Sequence, residues 1–490
     1  MQKVSKIFKQ IFNYKYIEYI FLSFVLILGL LLRLYKINNP IADWHSWRQA
    51  DTSSVTRSYV DKGINLLFPR YHDISTTQTG KFNPEGYRFV EFPIYNVVHT
   101  LLTENFNFLT LEVWGRLLSV FFALVTTVFI YLLGKRFLGV WGGILASFFY
   151  VVLPYNIYFT RVILPEPMAV MFAVASLWAF ITYIDSNKNW RLYFSGLLFA
   201  LALLVKPYVI FYSVPMIYLL LNKFKIKEIF RNAKLIIPLL LFTDIVLVPL
   251  IAWRGWISNY PEGIPHFGWV FNGDDIRFKP SFWSWIFGER LSWLILGGWG
   301  LVPFSFGLMK RLKNSYFTHF FLLGMFFYVS VVATANVRHD YYQTLVIPAV
   351  SLILAQGCII LWESSQFNKL LSRGLLVFSI GLAINNGLIQ IKEFYKINHP
   401  EIIIAGQSVD RLTPKNALVI APYNGDSAFL YQTKRWGWPF VDRPIEELIE
   451  NGADYYVSVN FDAQTNEFIN KFETVQKKDQ YLILSLQKRK

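Results

Sequence analysis

The run Ile17-Glu-Tyr-Ile-Phe-Leu-Ser-Phe-Val-Leu-Ile-Leu-Gly-Leu-Leu-Leu-Arg-Leu-Tyr-Lys36 is almost wholly apolar. A helix needs roughly 20 mostly apolar residues to cross a bilayer, so this run predicts a membrane span. No small-residue cleavage site follows Leu22–Leu34, which favours a retained signal anchor. Just beyond it, Ile41-Ala-Asp-Trp-His-Ser-Trp-Arg-Gln-Ala-Asp-Thr52 is dense in charged, polar and indole side chains. A span followed by so polar a motif predicts a membrane protein with chemistry at the membrane surface.

The rest of the chain strengthens the prediction of a multi-pass α-helical membrane protein. Of its 490 residues 54% are hydrophobic and only 16% are charged, whereas soluble domains carry about 25% charged residues. Hydropathy predicts about eleven transmembrane helices, with approximate limits 17–36, 115–134, 140–157, 167–184, 191–205, 208–221, 234–252, 290–309, 317–335, 342–362 and 373–391. The short runs 191–205 and 208–221 predict either two helices or one broken re-entrant unit, split by Lys206-Pro207.

The net charge of +15 is explained by topology, so no nucleic-acid partner is expected. Lysine and arginine gather in Met1–Tyr16 and in short loops after alternate spans, and the positive-inside rule places that side in the cytoplasm. The first outer loop 37–113, the later outer turns and the C-terminal tail then lie outside the plasma membrane. We expect a transmembrane domain over 1–391 and a small extracytoplasmic α/β domain over 392–490. Its predicted strands are 416–421, 455–459 and 481–486, and its predicted helices 426–434 and 445–451.

The first outer motif holds the candidate catalytic residues. Asp43 and Asp51 are eight apart and would share a face of one continuous helix. Either carboxylate can act as a general base on an acceptor hydroxyl or amine, and Arg48 between them can bind phosphate. The alternative is an interfacial loop in which Trp44 and Trp47 form part of an aromatic belt around solvated charges. Composition alone does not separate the two interpretations.

Other ionisable residues lie at outer turns between apolar runs. In a bundle such residues usually face the interior or a water-filled cavity. They are Glu91, Arg161 with Glu166, Lys206, and the run Arg338-His339-Asp340-Tyr341-Tyr342. Snorkelling to the headgroups accounts for Arg33 and Arg116, and the spacing of Arg57 and Asp61 favours a helix ion pair.

This set of residues suits a reaction on an anionic lipid substrate. Arg48, Arg161, Lys206 and Arg338 can neutralise a phosphate leaving group. Glu91 and Glu166 can bind sugar hydroxyls or a divalent cation, and a carboxylate site suits Mg²⁺ or Mn²⁺. One cysteine, Cys358, excludes a disulfide framework within the chain. The sequence has no Walker A, dinucleotide or zinc-helix motif, so no nucleotide cofactor is expected.

In order and spacing, these landmarks resemble the GT-C superfamily of membrane glycosyltransferases. The resemblance covers roughly residues 30–400 and is nearest to the bacterial branch related to protein O-mannosyltransferases and the lipid A aminoarabinose transferase. The landmarks are Leu32-Arg-Leu-Tyr35, Asp43, Glu91-Phe-Pro-Ile-Tyr95, Gly115-Arg-Leu-Leu118, Gly134-Lys-Arg136, Arg161 with Pro165-Glu-Pro167, Leu204-Val-Lys-Pro207 and His339-Asp-Tyr-Tyr342.

The resemblance implies inverting transfer of a sugar from a polyprenyl-phosphate carrier to a protein, lipid or glycan on the outer face. It implies that the first-loop Asp is the base. The substrate would then be bound by the other site residues, which are His45, Arg48, Glu91, Arg161, Glu166, Lys206, Arg338, His339 and Tyr342. The family's adjacent Asp-Glu pair matches Arg48-Gln49 here, so both Asp43, which we favour, and Asp51 remain as the base.

Two other functions fit the composition. A transporter or flippase of lipid-linked sugars would be polytopic too, but transporters usually have repeats and a site at the midplane. The sequence contains no internal repeat, and its candidate residues lie at one face. A glycan polymerase or ligase that uses a polyprenyl carrier is the third interpretation.

Overall fold

A computed structural model describes residues 14–489, so the predicted cytoplasmic lysines Lys3, Lys6 and Lys9 lie outside the described part. Its α-helices are Tyr14–Arg33, Ser46–Lys62, Ile94–Asn105, Leu111–Leu138, Val140–Val152, Pro154–Phe159, Glu166–Ser186, Asn189–Val205, Ser213–Lys223, Ile226–Arg231, Ala233–Ile257, Gly268–Asn272, Pro280–Ser284, Leu301–Met309, Phe317–Val331, Ala333–Arg338, Ile347–Glu363, Lys369–Ile391, Glu401–Leu412, Ala428–Thr433, Ile445–Glu450 and Ala463–Lys471. Short 3₁₀ segments are Pro207–Tyr212, Pro261–Gly263, Gly273–Phe278, Asp340–Leu345 and Lys392–Tyr395, and Trp285–Ile295 is a π-helix.

Each of the eleven predicted spans is mostly helical, but several are broken. Among residues 14–489, five helices are long and apolar enough to cross a membrane: Tyr16–Arg33, Leu111–Leu138, Glu166–Ser186, Ala233–Ile257 and Lys369–Tyr395. The run 191–221 contains two helices joined by a 3₁₀ turn at Lys206-Pro207, where proline removes a backbone donor. The predicted span 290–309 is interrupted at Gly297 and Gly298, whose φ angles are 55° and 73°, a region that glycine tolerates.

Close backbone approach holds the helix bundle together. The helices Leu301–Met309 and Ile347–Glu363 meet at Gly357, where an added Cβ would lie 1.7 Å from the carbonyl oxygen of Pro303. A side chain is excluded there because the two backbones are already in contact. The helix Glu166–Ser186 is buried over most of its length, so it forms the centre of the bundle.

Two arginines expected to snorkel are instead buried inside the bundle. Arg33 is 1% exposed and donates to Thr160 Oγ1 at 2.8 Å and to Val151 O at 3.2 Å. Arg116 is fully buried and donates to the carbonyl oxygens of Ile37 and Asn39. The snorkelling prediction was wrong because carbonyls at helix ends and in the following turn supply acceptors inside the protein.

The C-terminal part is a mixed five-stranded sheet with helices, which confirms the predicted α/β class. Its strands are β1 Leu418–Ile420, β2 Trp436–Trp438, β3 Ala453–Ser458, β4 Phe472–Lys477 and β5 Leu482–Arg489, in the order β2-β1-β3-β5-β4. Strand β1 is parallel to β2 and β3, whereas β5 is antiparallel to β3 and β4. The long loop 37–113 extends the sheet, because Ile74 N donates to Gly437 O and Gly437 N donates to His72 O.

Candidate active site

The motif 41–52 turns sharply before it becomes helical. The helix begins at Ser46, and His45 before it has a left-handed backbone with φ 56° and ψ 39°. Asp43 therefore precedes the helix and Asp51 lies inside it. The expectation that the two carboxylates share one helical face was wrong, because the turn at His45 sends them to different neighbours. A left-handed non-glycine residue is uncommon and often marks a functional site.

Asp43 is held from both sides inside the protein. Its Oδ1 accepts from Gln49 Nε2 at 2.6 Å, and its Oδ2 lies 3.5 Å from Arg161 Nη1. Both side chains of the ion pair with Arg161 are fully buried. Arg161 also donates to Lys36 O and lies over the Tyr395 ring at 4.8 Å. The first loop and the Arg161 turn are therefore in direct contact.

Asp51 joins the first loop to the C-terminal sheet domain. Its carboxylate is fully buried, 2.8 Å from Arg88 Nη2, and accepts from Ser427 Oγ at 2.6 Å and Gln78 Nε2 at 3.2 Å. A buried carboxylate with three donors has its acceptor capacity largely filled. The structure therefore places Asp51 as a docking residue between two segments that are far apart in sequence.

His45 forms the centre of a second polar group. Its Nε2 bonds to Asp340 Oδ1, and Asp340 Oδ2 accepts from Trp44 Nε1 at 3.0 Å and lies 3.8 Å from Arg290 Nη1. Burial raises the pKa of Asp340, but the hydrogen bond from His45 and the nearby Arg290 give a net lowering. Asp340 is thus held as a carboxylate beside His45. Sequence reasoning missed Arg290, which lay at the edge of a predicted span.

Two ion pairs, one buried and one partly buried, converge from four segments. Arg48 pairs with Glu91, and Lys206 Nζ lies 2.6 Å from Glu166 Oε1. Burial alone would lower the pKa of Arg48, but the carboxylates of Glu91 and Glu166 raise it above its ordinary value. Glu166 Oε2 is buried and has no hydrogen-bond partner among the described residues. Buried polar atoms are usually paired, so this oxygen keeps an unused capacity to accept a hydrogen bond.

Aromatic rings surround the ammonium group of Lys206. Its Nζ lies 4.7 Å from the ring centroid of Tyr342 and 5.7 Å from that of Tyr208. His339 stacks on Tyr341 at 5.6 Å and touches Trp47 at 5.4 Å. Burial and nearby cations lower the pKa of His339 to about 4, so the ring is neutral at neutral pH.

The rim of this aromatic group carries further cations. Arg338 is exposed, lies over Trp269 at 5.5 Å and is 3.8 Å from Asp274. Arg254, which the sequence did not single out, lies over Phe267 at 5.2 Å and has no ion pair among residues 14–489. Its position at the end of an apolar helix was the signal available, as for Lys206.

An open cavity of about 270 Å³ lies beside the first outer motif. Its wall includes Asp43, His45 and Trp47 from the motif and Tyr423 and Asp426 from the sheet domain. Burial raises the pKa of Asp426 to about 6, although Ala428 N and Ser46 donate to its carboxylate. The sheet domain therefore contributes directly to the surroundings of Asp43 and His45.

The predicted Arg57–Asp61 ion pair is wrong, whereas the predicted divalent cation stays untested. Arg57 does not pair with Asp61. It donates to Glu112 Oε1 at 3.2 Å and to Tyr431 O at 2.9 Å, because the sheet domain docks on that face of the helix. In the part of the chain that is described, no group of three or more His, Cys, Asp and Glu residues is placed to hold a metal ion. A divalent cation stays a prediction.

The fold has known relatives. The family described as dolichyl-phosphate-mannose-protein mannosyltransferase matches residues 93–253. ArnT from Cupriavidus metallidurans bound to undecaprenyl phosphate is 12% identical with a TM-score of 0.65, covering 94% of this chain and 97% of that chain. The Archaeoglobus fulgidus oligosaccharyltransferase in complex with Zn and sulfate is 9% identical with a TM-score of 0.56, covering 89% of this chain and 67% of that chain. No curated protein matches by sequence.

The chain has the GT-C fold. Similarity over nearly the whole length of ArnT confirms the predicted fold class, a helical membrane protein with a small C-terminal α/β domain. The resemblance to GT-C glycosyltransferases, stated from sequence landmarks, is confirmed by the family model and by both structures. In this GT-C chain the predicted site residues Asp43, His45, Arg48, Glu91, Arg161, Glu166, Lys206, His339 and Tyr342 converge, with Arg338 at the rim and Asp51 at the domain junction.

Proposed function

We propose that the chain transfers a sugar from a polyprenyl-phosphate carrier to an acceptor at the outer face of the plasma membrane. The observation that carries this proposal is the buried Lys206–Glu166 pair, in which Glu166 keeps an unpartnered oxygen beside tyrosine rings. A carboxylate oxygen accepts a hydrogen bond from a sugar hydroxyl, a lysine ammonium attracts a phosphate, and aromatic rings pack against a sugar ring. The carrier class is supported by the undecaprenyl phosphate bound to ArnT and by the family's dolichyl-phosphate name.

The reaction is a single displacement. The acceptor oxygen bonds to the anomeric carbon as the bond from that carbon to the carrier phosphate breaks, which inverts the configuration. The bonding electron pair leaves with the phosphate, and Lys206, Arg254 and Arg48 stabilise the developing charge. The acceptor proton passes to a base at the 270 Å³ cavity.

His45, oriented by Asp340, is the base that the geometry supports best. A carboxylate that bonds one ring nitrogen fixes the imidazole and stabilises the imidazolium that forms. Asp43 lines the same cavity and is the alternative, although Gln49 and Arg161 occupy its oxygens. Asp51, the other predicted base, is the weaker candidate because Arg88 and Ser427 enclose it.

The outer location rests on charge. Basic residues recur in the short loops at one end of the bundle, and the candidate site lies at the other end, among the longer segments. The sheet domain, whose proposed extent is 392–490, packs on the first loop and is therefore extracytoplasmic with it. The transmembrane domain extends over 1–391.

The test is a transfer assay in membranes that contain the chain. Tritiated polyprenyl-phosphate sugars are supplied singly, and release of the sugar from the lipid is measured with and without added cell-envelope acceptors. We expect release with at least one donor, and loss of release in the double variant Lys206→Met, Glu166→Gln, which removes the buried lysine without leaving the Glu166 charge unpaired. Lys188→Met, in a predicted cytoplasmic loop, is the matched control. Movement of intact lipid-linked sugar across proteoliposomes without cleavage would instead establish the transporter alternative.

A further inference from the structure

A second and larger cavity lies between the first loop and the sheet domain. Its volume is about 940 Å³, and its wall includes Arg57, Lys62 and His72 from the first loop and Lys434 and Arg435 from the sheet domain. Arg57 lies nine positions after Arg48 on the helix Ser46–Lys62, which is about 14 Å along the axis. The cavity is therefore separate from the site around Lys206 and Arg48.

Five cations line the cavity, namely Arg57, Lys62, Lys415, Lys434 and Arg435, against two carboxylates, Asp61 and Glu112, so the charge on its wall is only partly compensated. On the sheet-domain side one carboxylate, Asp410, faces three cations, at 2.5 Å from Lys415, 3.0 Å from Lys434 and 2.9 Å from Arg435. On the opposite side Lys62 has no ion pair among the described residues and lies 3.6 Å above the Trp436 ring. An excess of cations around one cavity attracts an anion.

A buried polar atom independently indicates a ligand. His72 is 3% exposed and lines the cavity, and its Nδ1 has no hydrogen-bond partner among the described residues. The ring is fixed by stacking on Tyr431 at 6.0 Å and by contact with Trp436 at 6.3 Å. Buried polar groups are almost always paired, so a ring on this wall carries an unmet hydrogen-bonding group.

The third side of the 940 Å³ cavity lies where the chain enters the membrane. Thr110, Leu111 and Glu112 line the cavity at the start of the apolar helix Leu111–Leu138. Just beside them Phe106 and Phe108 are 47% and 70% exposed and contact Trp114. Exposed aromatic rings at the end of a membrane helix sit at headgroup depth.

We propose that this cavity binds the phosphate of an anionic lipid headgroup at the membrane interface, with Lys62 and Lys434 as its cations and His72 as a neutral hydrogen-bonding partner. The proposal goes beyond sugar transfer and does not depend on it. A phosphate held there would bridge the first loop and the sheet domain. Burial and the charges of Arg57 and Lys62 lower the pKa of His72, which keeps the ring neutral at neutral pH.

The test measures thermal unfolding of the full chain in detergent. Dioleoylphosphatidylglycerol, dioleoylphosphatidylcholine and inorganic phosphate are the probes, because a ligand that binds the folded state raises Tm. We expect phosphatidylglycerol to raise Tm more than phosphatidylcholine, and the double variant Lys62→Gln, Lys434→Gln to weaken its apparent affinity about tenfold. Lys478→Gln, an exposed lysine of the same sheet domain, is the control and keeps the wild-type response.

The probes also separate the sources of phosphate. If inorganic phosphate raises Tm and competes with phosphatidylglycerol, the phosphate chemistry is supported and a soluble phosphate can supply it. If only the lipid acts, the headgroup is the source. Equal responses to the two lipids, or wild-type affinity in the double variant, overturn the proposal. His72→Phe, which keeps a ring against Tyr431, is expected to weaken phosphatidylglycerol binding in the same assay.

Discussion

A residue that accepts a proton needs a basic atom turned toward the acceptor. Both carboxylate oxygens of Asp43 face hydrogen-bond donors. His45 bonds to Asp340 through Nε2, so its other ring nitrogen, Nδ1, is the atom left to accept the proton. We expect His45→Gln to lower the rate of sugar transfer by about 10²- to 10⁴-fold, the usual contribution of a general base, with little change in the donor KM. Asp51→Asn is expected to act mainly on stability. A rate loss confined to Asp43→Asn would return the role to Asp43.

The Lys206–Glu166 pair allows a sharper test, because both partners are buried. Removing one partner leaves an uncompensated charge, which costs about 3–5 kcal/mol. We expect Lys206→Met to be strongly destabilised and the double variant Lys206→Met, Glu166→Gln to recover much of the loss. Unfolding in a graded denaturing detergent measures both. Equal stability of the single and double variants would show that the two side chains are not coupled.

At the scale of elements, β2 is joined to two partners through Gly437. Its φ is 151°, and an added Cβ would lie 1.9 Å from Val419 O, while its backbone also bonds to His72 and Ile74. We expect Gly437→Ala to cost at least about 2 kcal/mol and to loosen the sheet domain from the first loop. Limited proteolysis should then cleave earlier in the loop 72–83. Gly374→Ala, where the added Cβ meets nothing, is the control.

The free energy of unfolding depends on pH through a residue at the contact between the sheet domain and the first loop. One variant isolates this contribution. Asp426 has an ordinary pKa of 3.8, raised in the fold to about 6 by burial. Its stabilising protonated form is fully present below about pH 4 and is lost as pH rises through 6. Asn imitates the protonated carboxyl, so Asp426→Asn should gain about 2 kcal/mol relative to the wild type between pH 4.5 and 7.5. Exposed Asp479→Asn should show no such gain.

Buried histidines also make the stability of the fold depend on pH, so the wild-type profile alone does not isolate the contribution of Asp426. Burial lowers the pKa values of His72 and His339, and these residues therefore destabilise the fold as pH falls below about 6.5. Because they are present in both proteins, they cancel in the difference between variant and wild type. A difference that does not change with pH would contradict the assignment for Asp426.

The sequence predicted the helices and strands better than it predicted which residues contact one another. Helical runs and the first, third and last strands follow from apolar patterning, which is local. The short strand β2, the strand β4 and the helix Ser46–Lys62 carry weak patterns, because their stability comes from packing against distant segments. Ion pairs were hardest: the spacing of Arg57 and Asp61 suggested a pair, but Glu112 and Tyr431 are the partners brought by docking.

The whole molecule was predictable in class because a bilayer imposes long apolar helices. Convergence of the outer turns was also predictable, since ionisable residues at span ends face inward. The turn at His45 was not predictable, because no local sequence pattern marks a histidine with a left-handed backbone. The sequence also did not predict that the helix bundle and the sheet domain share a core. Buried residues of both, such as Leu153 and Val419, belong to one hydrophobic cluster.

Orientation in the membrane is the property of the whole molecule on which the site depends. Cys358 is the single cysteine and is buried, so cysteines introduced singly report their own accessibility. We expect a membrane-impermeant maleimide to label Lys478→Cys and Lys279→Cys on intact cells, because both are exposed and lie in the sheet domain and in the outer loop near Arg338. Lys188→Cys should be labelled only after permeabilisation. If Lys478→Cys and Lys279→Cys differ, an odd span count fails and the sheet domain cannot lie on the same side as the site.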